Sequence, residues 1–208
     1  MKTGIHSSLR QVIRNLILTE GMVKPEQLPP NIGVCIEHFF GKYDVFYCEI
    51  SRDGKMLRRY KFENDTGGPW GIVKITRNNL GQENCDMAFG IHGTEAMSGY
   101  GPLLYDVAME LATLKGSGLV ADRRQVSKDA LNVWTYYLNR RVPTGEIEVF
   151  QCDDENNTLT KTTTDNLNQK VARGTHPQDW TQSPLSKRYS KQPTTIEQLG
   201  NKLVWLEG

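Results

Sequence analysis

Residues 92–123 read HGTEAMSGYGPLLYDVAMELATLKGSGLVADR, and this stretch decides the fold. A glycine turn, Gly99-Tyr100-Gly101, comes directly before Pro102. Proline is tolerated in the first turn of a helix because its missing N–H has no intrahelical partner there, so we expect the helix to begin at about Pro102. One apolar stripe at three- and four-residue spacing is predicted to be buried: Leu103, Leu104, Val107, Ala108, Leu111 and Ala112.

A strand precedes the glycine turn, and a short apolar run follows the helix. Met87, Phe89 and Ile91 alternate with smaller or polar residues in 85–92, and residues 118–121 read GLVA. The order strand, glycine turn, helix and strand places the N–H groups of a helix N-terminus where they can bind an anion. Glycines before a helix also serve tight turns and close packing, and this alternative stays open.

The segments before residue 85 predict a helix followed by a mostly antiparallel meander. Residues 7–21 have helical periodicity, with Ser8 as the N-cap and Gly21 as the stop. Strands are predicted at 33–40, 42–51, 55–63 and 70–75. The Asp53-Gly54 pair indicates a tight hairpin turn, and Gly41 indicates another, because glycine readily adopts positive φ.

A second helix is predicted over 126–141, with Ser127 as its N-cap. A strand at 146–151 follows, and from residue 152 the chain is polar and poor in branched aliphatic residues, so it cannot build a core of its own. We therefore expect an N-terminal helix and connection (1–29), an α+β domain (30–151) and a polar extension that wraps the domain (152–208). The predicted inward face of the helix is Ala130, Leu131, Trp134 and Leu138, and the predicted anchors of the extension are Leu159, Trp180, Leu185 and Tyr189.

Composition argues against several classes of function. The 25 basic and 24 acidic residues give a net charge of +1, so no global charge attracts nucleic acid or an anionic membrane. No apolar run approaches the roughly 18 residues that span a bilayer, and no secretory signal is expected. The histidines lack metal-ligand spacing, and no metal site is predicted. The four cysteines are widely separated and form no CxxC pair, which favours reduced thiols: Cys35, Cys48, Cys85 and Cys152.

The order of predicted elements resembles the GNAT acyltransferase fold, an α+β fold with a mixed, mostly antiparallel sheet and a central helix after a glycine turn. Residues 99–141, with 153–160 and 183–189, look more narrowly like GNAT-like proteins encoded by bacteriophages. The resemblance covers about 30–150 for the fold and reaches the C-terminus for the phage group. It implies an acyl-CoA-dependent N-acyltransferase acting on an unknown amine. The alternative is a catalytically inactive scaffold that serves as a phage structural or host-interaction protein.

The resemblance implies a binding site for acetyl-CoA or another acyl-CoA at the glycine turn. In GNAT enzymes a Gln/Arg-x-x-Gly-x-Gly/Ala motif before the central helix holds the pyrophosphate of acyl coenzyme A with its N–H groups. Ala96 replaces the Gln/Arg, and Pro102 lacks one N–H that could have contributed. The residues implied to bind the cofactor are Ser98, Gly99, Tyr100, Gly101 and Leu103.

The resemblance also implies an acid on the second helix, where many GNAT enzymes carry a tyrosine that protonates the departing thiolate. Counting from Ala130, that position is Trp134, whose indole N–H is not a usable acid near neutral pH. Tyr137 lies beside the Trp134 face of the helix and is the candidate acid, whereas Tyr136 is turned away from that face. An aromatic cluster that packs the helix on the sheet is the other interpretation.

The fourth and fifth strands of GNAT proteins splay apart, and the acceptor amine enters the resulting cleft. His92 and Glu95 follow the fourth-strand equivalent and are candidate bases for removing the amine proton. Asp122 and Arg123 follow the next strand and, with Trp134, are candidate substrate-binding residues. A solvated glutamate, an ordinary strand-end histidine and a structural Asp–Arg pair are the alternatives.

The resemblance further implies a bacteriophage protein in the cytoplasm of the infected host cell or carried with the virion. A host or phage protein is the implied partner. The amphipathic N-terminal helix is a candidate for homodimerisation, although packing on its own sheet is the more ordinary use of such a helix.

Overall fold

The computed structural model describes residues 22–60, 69–77, 87–122, 126–151 and 183–207. Within these ranges the chain forms an α+β fold with one nine-stranded, mostly antiparallel sheet and three α-helices. No helix in these ranges has the length and apolarity needed to cross a membrane. The predicted N-terminal helix, Arg123, Cys85, Cys152, Leu159 and Trp180 lie outside the described residues.

The sheet combines seven strands from the predicted domain with two from the C-terminal region. Its spatial order is β7-β8-β6-β5-β4-β2-β1-β9, with β3 paired to β2. Only β5 with β6 and β1 with β9 are parallel among these described pairs. The strands are β1 (Ile32–Phe39), β2 (Lys42–Ile50), β3 (Met56–Arg59), β4 (Gly71–Thr76), β5 (Phe89–Ala96), β6 (Leu119–Val120), β7 (Glu148–Gln151), β8 (Lys187–Ser190) and β9 (Leu203–Glu207).

The central helix, α1 (Gly101–Lys115), confirms the prediction made from the glycine turn and Pro102. The six residues of its apolar stripe are all buried in the main core, where each side chain contributes roughly 1.5–3 kcal/mol relative to an exposed one. The helix contacts β2, β4, β5, β6 and β8, so it lies across the middle of one face of the sheet.

The second helix, α2 (Lys128–Tyr136), continues into a π-helical turn, Tyr137–Arg141. The Ser127 side chain accepts a hydrogen bond from the Ala130 N–H at 3.1 Å, which confirms the predicted N-cap. Trp134 is buried in the main core, and Ala130, Leu131 and Leu138 pack against it, as predicted. A third helix, α3 (Thr194–Leu199), packs against α1.

Both predicted hairpins are present. Phe40 and Gly41 join β1 to β2 with φ values of 48° and 73°, the pair of positive values that a two-residue type I′ turn requires. Gly54, with φ of 77°, lies in the turn between β2 and β3. Both turns could be predicted from the sequence, because the residues within each turn determine its conformation.

The strand before the glycine turn runs further than the sequence indicates. β5 extends from Phe89 to Ala96, so His92 and Glu95 lie within the strand and not after it. Pairing with β4 continues through Ile72–Glu95 and Gly71–Ala96, and a register shift between Gly93 and Ile91 leaves His92 in a bulge. The sequence pattern ended the strand at His92 because Gly93 interrupts the apolar alternation.

The expectation of reduced thiols is wrong for two of the cysteines. Cys35 on β1 and Cys48 on β2 form a disulfide, with their Cα atoms 6.1 Å apart. The hairpin at Phe40–Gly41 folds the two strands together and places both cysteines in a small cluster with Phe46 and Ile50, separate from the main core. A separation of 13 residues conceals this proximity in the sequence.

The C-terminal region contributes to the sheet as well as covering it. β8 lies between β6 and β7 and pairs antiparallel with both. Leu185 and Tyr189 are buried, as their predicted anchor role requires. No strand is predicted at β8, because its residues, KRYS, have no apolar alternation.

A buried carboxylate connects this C-terminal region to α1. Glu110 accepts hydrogen bonds from the N–H groups of Thr195 and Ile196, at 2.8 and 2.7 Å, at the start of α3. It also pairs with the Lys191 ammonium group, which is itself held by the hydroxyls of Thr194 and Thr195 at 2.8 Å. Both charged side chains are almost completely buried. Each charge is therefore stable in the core only while the other is present.

Replacing Glu110 with alanine leaves the Lys191 ammonium group buried without its carboxylate. We expect the Glu110→Ala substitution to lower the free energy of unfolding by about 3–5 kcal/mol, measured by urea denaturation. Lys55→Ala, which removes the exposed ion pair with Asp53, is the control and should barely move the midpoint. Equal midpoints for the two variants would contradict a structural role for Glu110.

Candidate functional site

The candidate site begins where the parallel strands β5 and β6 separate. They pair at Phe89–Leu119 and Gly90–Val120, and β6 ends there while β5 continues to Ala96. β6 is held on its other side by β8 through Leu119–Tyr189 and Val120–Arg188. The remainder of β5 therefore has no parallel neighbour in the described part of the chain, and a slot opens beside it.

A cavity of about 200 Å³ occupies this slot. Its walls come from β5, from α1, and from the chain between β6 and α2. Apolar and polar groups are mixed in it, as is usual for a small-molecule site. The lining residues are Ile91, Gly93, Thr94, Tyr105, Asp122, Val126, Ser127, Ala130 and Trp134.

A second cavity, of about 500 Å³, surrounds the glycine turn. It shares Thr94, Tyr105, Ser127 and Ala130 with the slot cavity, so the two adjoin along α2. Residues 94–99 form one wall, and the first turn of α1 forms its end. The two cavities together make an elongated groove that runs from the divergent strands to the helix N-terminus.

The glycine turn presents backbone donors at this end of the groove. Gly99 has φ of 83°, a left-handed conformation that glycine adopts without strain. Within the described residues, the N–H groups of Ser98, Gly99, Gly101 and Leu103 have no backbone acceptor. They lie at the positive end of the α1 dipole, where an anion is stabilised.

The residues expected to bind the cofactor separate into two groups. Ser98, Gly99 and Gly101 line the cavity at the glycine turn. Tyr100 points into the core, where its ring lies edge-on to Tyr47 at 5.5 Å, and the Leu103 side chain is buried. Tyr100 and Leu103 could therefore contribute to binding only through their backbone groups.

The candidate catalytic and substrate residues are also distributed unevenly. Glu95 lines the cavity at the glycine turn, and Asp122 and Trp134 line the slot. His92 lines neither cavity, and Arg123 lies outside the described residues. The structure thus brings Glu95, Asp122 and Trp134 to one groove.

Tyr137 is buried away from that groove. Its hydroxyl donates to Asp106 Oδ1 at 2.8 Å and lies 3.2 Å from the Pro102 carbonyl oxygen. Arg141 contacts both carboxylate oxygens of Asp106, at 2.6 and 2.7 Å, and continues to Glu146. Burial raises the pKa of Tyr137 well above its ordinary value. Its hydroxyl is therefore a protonated donor within a structural network at the start of α1.

Tyr105 is the functional candidate that sequence reasoning missed. It lines both cavities together with Thr94. Burial raises the pKa of Tyr105 to about 12, so the hydroxyl stays protonated at neutral pH and can donate a hydrogen bond. The sequence could have indicated it, because Tyr105 is an aromatic residue with a hydroxyl group at the edge of the apolar stripe, one helical turn after Gly101.

His92 is held as a neutral imidazole. Desolvation lowers its pKa, while Asp44 opposes this shift and Lys42 and Lys74 add to it. Its Nε2 atom is shielded from solvent and has no hydrogen-bond partner within the described residues. A neutral imidazole can accept a proton, although the position of His92 in the bulge keeps it out of both cavities.

Comparison with protein-family models, with curated proteins and with solved structures finds no match to this chain. The site is therefore characterised by its own geometry. It has an elongated groove, backbone donors at one end, a protonated tyrosine in the middle and carboxylates at Glu95 and Asp122. Such an arrangement can bind an extended ligand with an anionic end and place a reactive group near Tyr105.

We expect His92 to titrate below the ordinary value of 6.5 when its imidazole protons are followed by NMR. Asp44→Asn should lower the pKa further because it removes a nearby negative charge, and Lys74→Gln should raise it. Since the pKa is depressed in the folded state, the stability contributed by neutral His92 is present above pH 6.5 and lost as the pH falls below it. Shifts of the opposite sign in the two variants would contradict this assignment.

Proposed function

We propose that this chain is an acyl-CoA-dependent N-acyltransferase of the GNAT type that acts on an amine acceptor. The observation that carries the proposal is the divergence of β5 and β6, because the slot it opens adjoins the cavity at the N-terminus of α1. When the short β3 is set aside, these are the fourth and fifth strands in chain order, the pair that the GNAT resemblance implies should splay. The glycine turn lies between β5 and α1, where that resemblance implies a pyrophosphate site.

The residues at the turn fit a diphosphate. The N–H groups of Ser98, Gly99, Gly101 and Leu103 would hold its oxygens, with support from the helix dipole. A Cβ atom built on Gly101 meets only the Ala96 Cβ, at 3.6 Å, so there is space in front of the backbone. The groove beyond the turn consists of two adjoining cavities with mixed polar and apolar walls, which suit an extended acyl carrier.

Acyl-CoA supplies an activated thioester, and the protein residues position the reactants and handle protons. The amine nitrogen bonds to the thioester carbonyl carbon, the C–S bond breaks, and the amine proton passes to a base. Glu95, which lines the groove, is the candidate base, because His92 lies outside both cavities. Tyr105, protonated and in the groove, would donate a hydrogen bond to the departing thiolate, in place of the second-helix tyrosine that the resemblance implies as its acid.

A catalytically inactive scaffold that binds a host or phage protein is the second candidate. Trp134 favours it, because its indole occupies the position of the expected acid and its ring is packed 4.8 Å from Tyr189 and 5.7 Å from Tyr105. In addition, Tyr137 is engaged with Asp106. Acyl transfer to any member of a panel of amines would rule out this candidate.

We expect the wild-type protein to bind acetyl-CoA with a dissociation constant below about 1 mM in isothermal titration calorimetry. Gly101→Trp should reduce the affinity at least about tenfold, or 1.4 kcal/mol, because the indole would cover the amides of the turn. Gly101→Ala is the matched control and should retain binding, since its methyl group makes only an ordinary contact with Ala96. No heat of binding with wild-type protein at about 1 mM acetyl-CoA would end the proposal.

Tyr105→Phe should slow acyl transfer because it removes the hydrogen bond to the leaving thiolate. We expect kcat to fall about 100-fold with little change in KM, measured by release of free thiol in the presence of the amine panel. Tyr136→Phe is the control, because Tyr136 lines neither cavity and should leave the rate unchanged. Equal rates for the two variants would remove Tyr105 from the mechanism.

A further inference from the structure

We propose that Tyr47 is a positioning residue for the backbone donors at the glycine turn, although it lies in the core and outside both cavities. Its hydroxyl fixes the direction of the Tyr100–Gly101 peptide and so turns the Gly101 N–H toward the ligand groove. The inference rests on the proposed function, because it assigns the donor to a bound diphosphate. It deepens that function by identifying what holds the anion site in shape.

Tyr47 reaches the turn from the opposite side of the core. It lies on β2, is completely buried, and donates a hydrogen bond to the Tyr100 carbonyl oxygen at 2.8 Å. The rings of Tyr47 and Tyr100 meet edge to face at 5.5 Å with an interplanar angle of 90°. Two contacts, one polar and one aromatic, thus hold the same residue of the turn.

The direction of the Gly101 N–H follows from the planarity of the peptide bond. In a trans peptide the C=O and the following N–H point in opposite directions, and no peptide bond in the described residues is cis. Because the Tyr100 carbonyl is held toward Tyr47 in the core, the Gly101 N–H points away from the core. Gly101 lines the cavity at the turn, so its donor is directed to the space where the proposed diphosphate lies.

Two neighbouring carbonyls are held in a similar way. The Val23 N–H donates to the Gly99 carbonyl oxygen at 3.1 Å. The Tyr137 hydroxyl lies 3.2 Å from the Pro102 carbonyl oxygen. The second contact constrains the Pro102–Leu103 peptide and its N–H by the same reasoning. Three carbonyls in and next to the turn are therefore held by other parts of the protein, which orders the donors before any ligand arrives.

A purely space-filling role does not require the hydroxyl, because phenylalanine would fill nearly the same volume. The chain offers a matched control in Tyr189, which is also completely buried and donates to a backbone carbonyl, that of Pro184, at 2.6 Å. Tyr189 lies on β8, and its hydroxyl reaches Pro184 instead of the glycine turn. Comparison of Tyr47→Phe with Tyr189→Phe therefore separates loss of a buried hydrogen bond from loss of order at the turn.

The experiment measures binding of acetyl-CoA and of inorganic pyrophosphate to the full-length wild type and both variants, together with amide hydrogen exchange in the absence of ligand. Both variants should lower the urea midpoint similarly. Only Tyr47→Phe should weaken binding of each probe, by about five- to tenfold, and raise KM without changing kcat. Only Tyr47→Phe should accelerate exchange at Tyr100, whose N–H donates to the Met97 carbonyl oxygen at 3.0 Å within the turn.

The outcomes distinguish this inference from the proposed function. If the wild type binds acetyl-CoA and Tyr47→Phe binds it equally well, the positioning role is wrong and the proposed function stands. If the wild type binds neither probe, the proposed function fails, and exchange decides the role of Tyr47. Faster exchange confined to the turn then supports ordering by Tyr47, and unchanged exchange at Tyr100 overturns it.

Discussion

The buried pairing of Glu110 with Lys191 is the constraint on which the rest of the structure depends. A carboxylate in the middle of α1 is stable in the core only if the C-terminal region delivers an ammonium group and the first N–H groups of α3 to it. Lys191 directly follows β8, and β8 holds β6 in the sheet. The same ion pair that fixes α1 therefore fixes the far side of the slot. The groove thus depends on an ion pair between residues that are 81 positions apart.

The sequence predicted those parts of the fold that local chemistry decides. Pro102, Ser127 and the Asp53-Gly54 pair mark boundaries through their own backbone preferences, and each boundary lies where it was expected. The extension of β5 beyond Gly93, the insertion of β8 and the Cys35–Cys48 bond depend on which strands become neighbours. Such pairings are set by the register of the whole sheet, and no short window of sequence contains them.

The candidate site was predicted in the same uneven way. The glycine turn and its amides follow from a local pattern, and Ser98, Gly99, Gly101 and Glu95 do meet in one cavity. The tyrosines could not be assigned from helical spacing alone, because their roles depend on what their hydroxyl groups reach. Tyr137 extends to Asp106, Tyr105 lies in the groove, and Tyr47 crosses the core to the turn. A hydroxyl on an aromatic ring must find a partner when it is buried, and that partner defines its role.

The position of β8 also bears on how the protein is made. β7 (Glu148–Gln151) pairs with β8 and with no other strand in the described part of the chain, and β8 is not synthesised until residues 187–190 leave the ribosome. Until then a nascent chain carries β6 with an open edge, next to a helix whose Glu110 has no ammonium partner. Unpaired edges and late non-local pairing expose intermediates to aggregation. Chaperones that protect nascent chains would therefore act on this protein mainly between the synthesis of β6 and the release of β8.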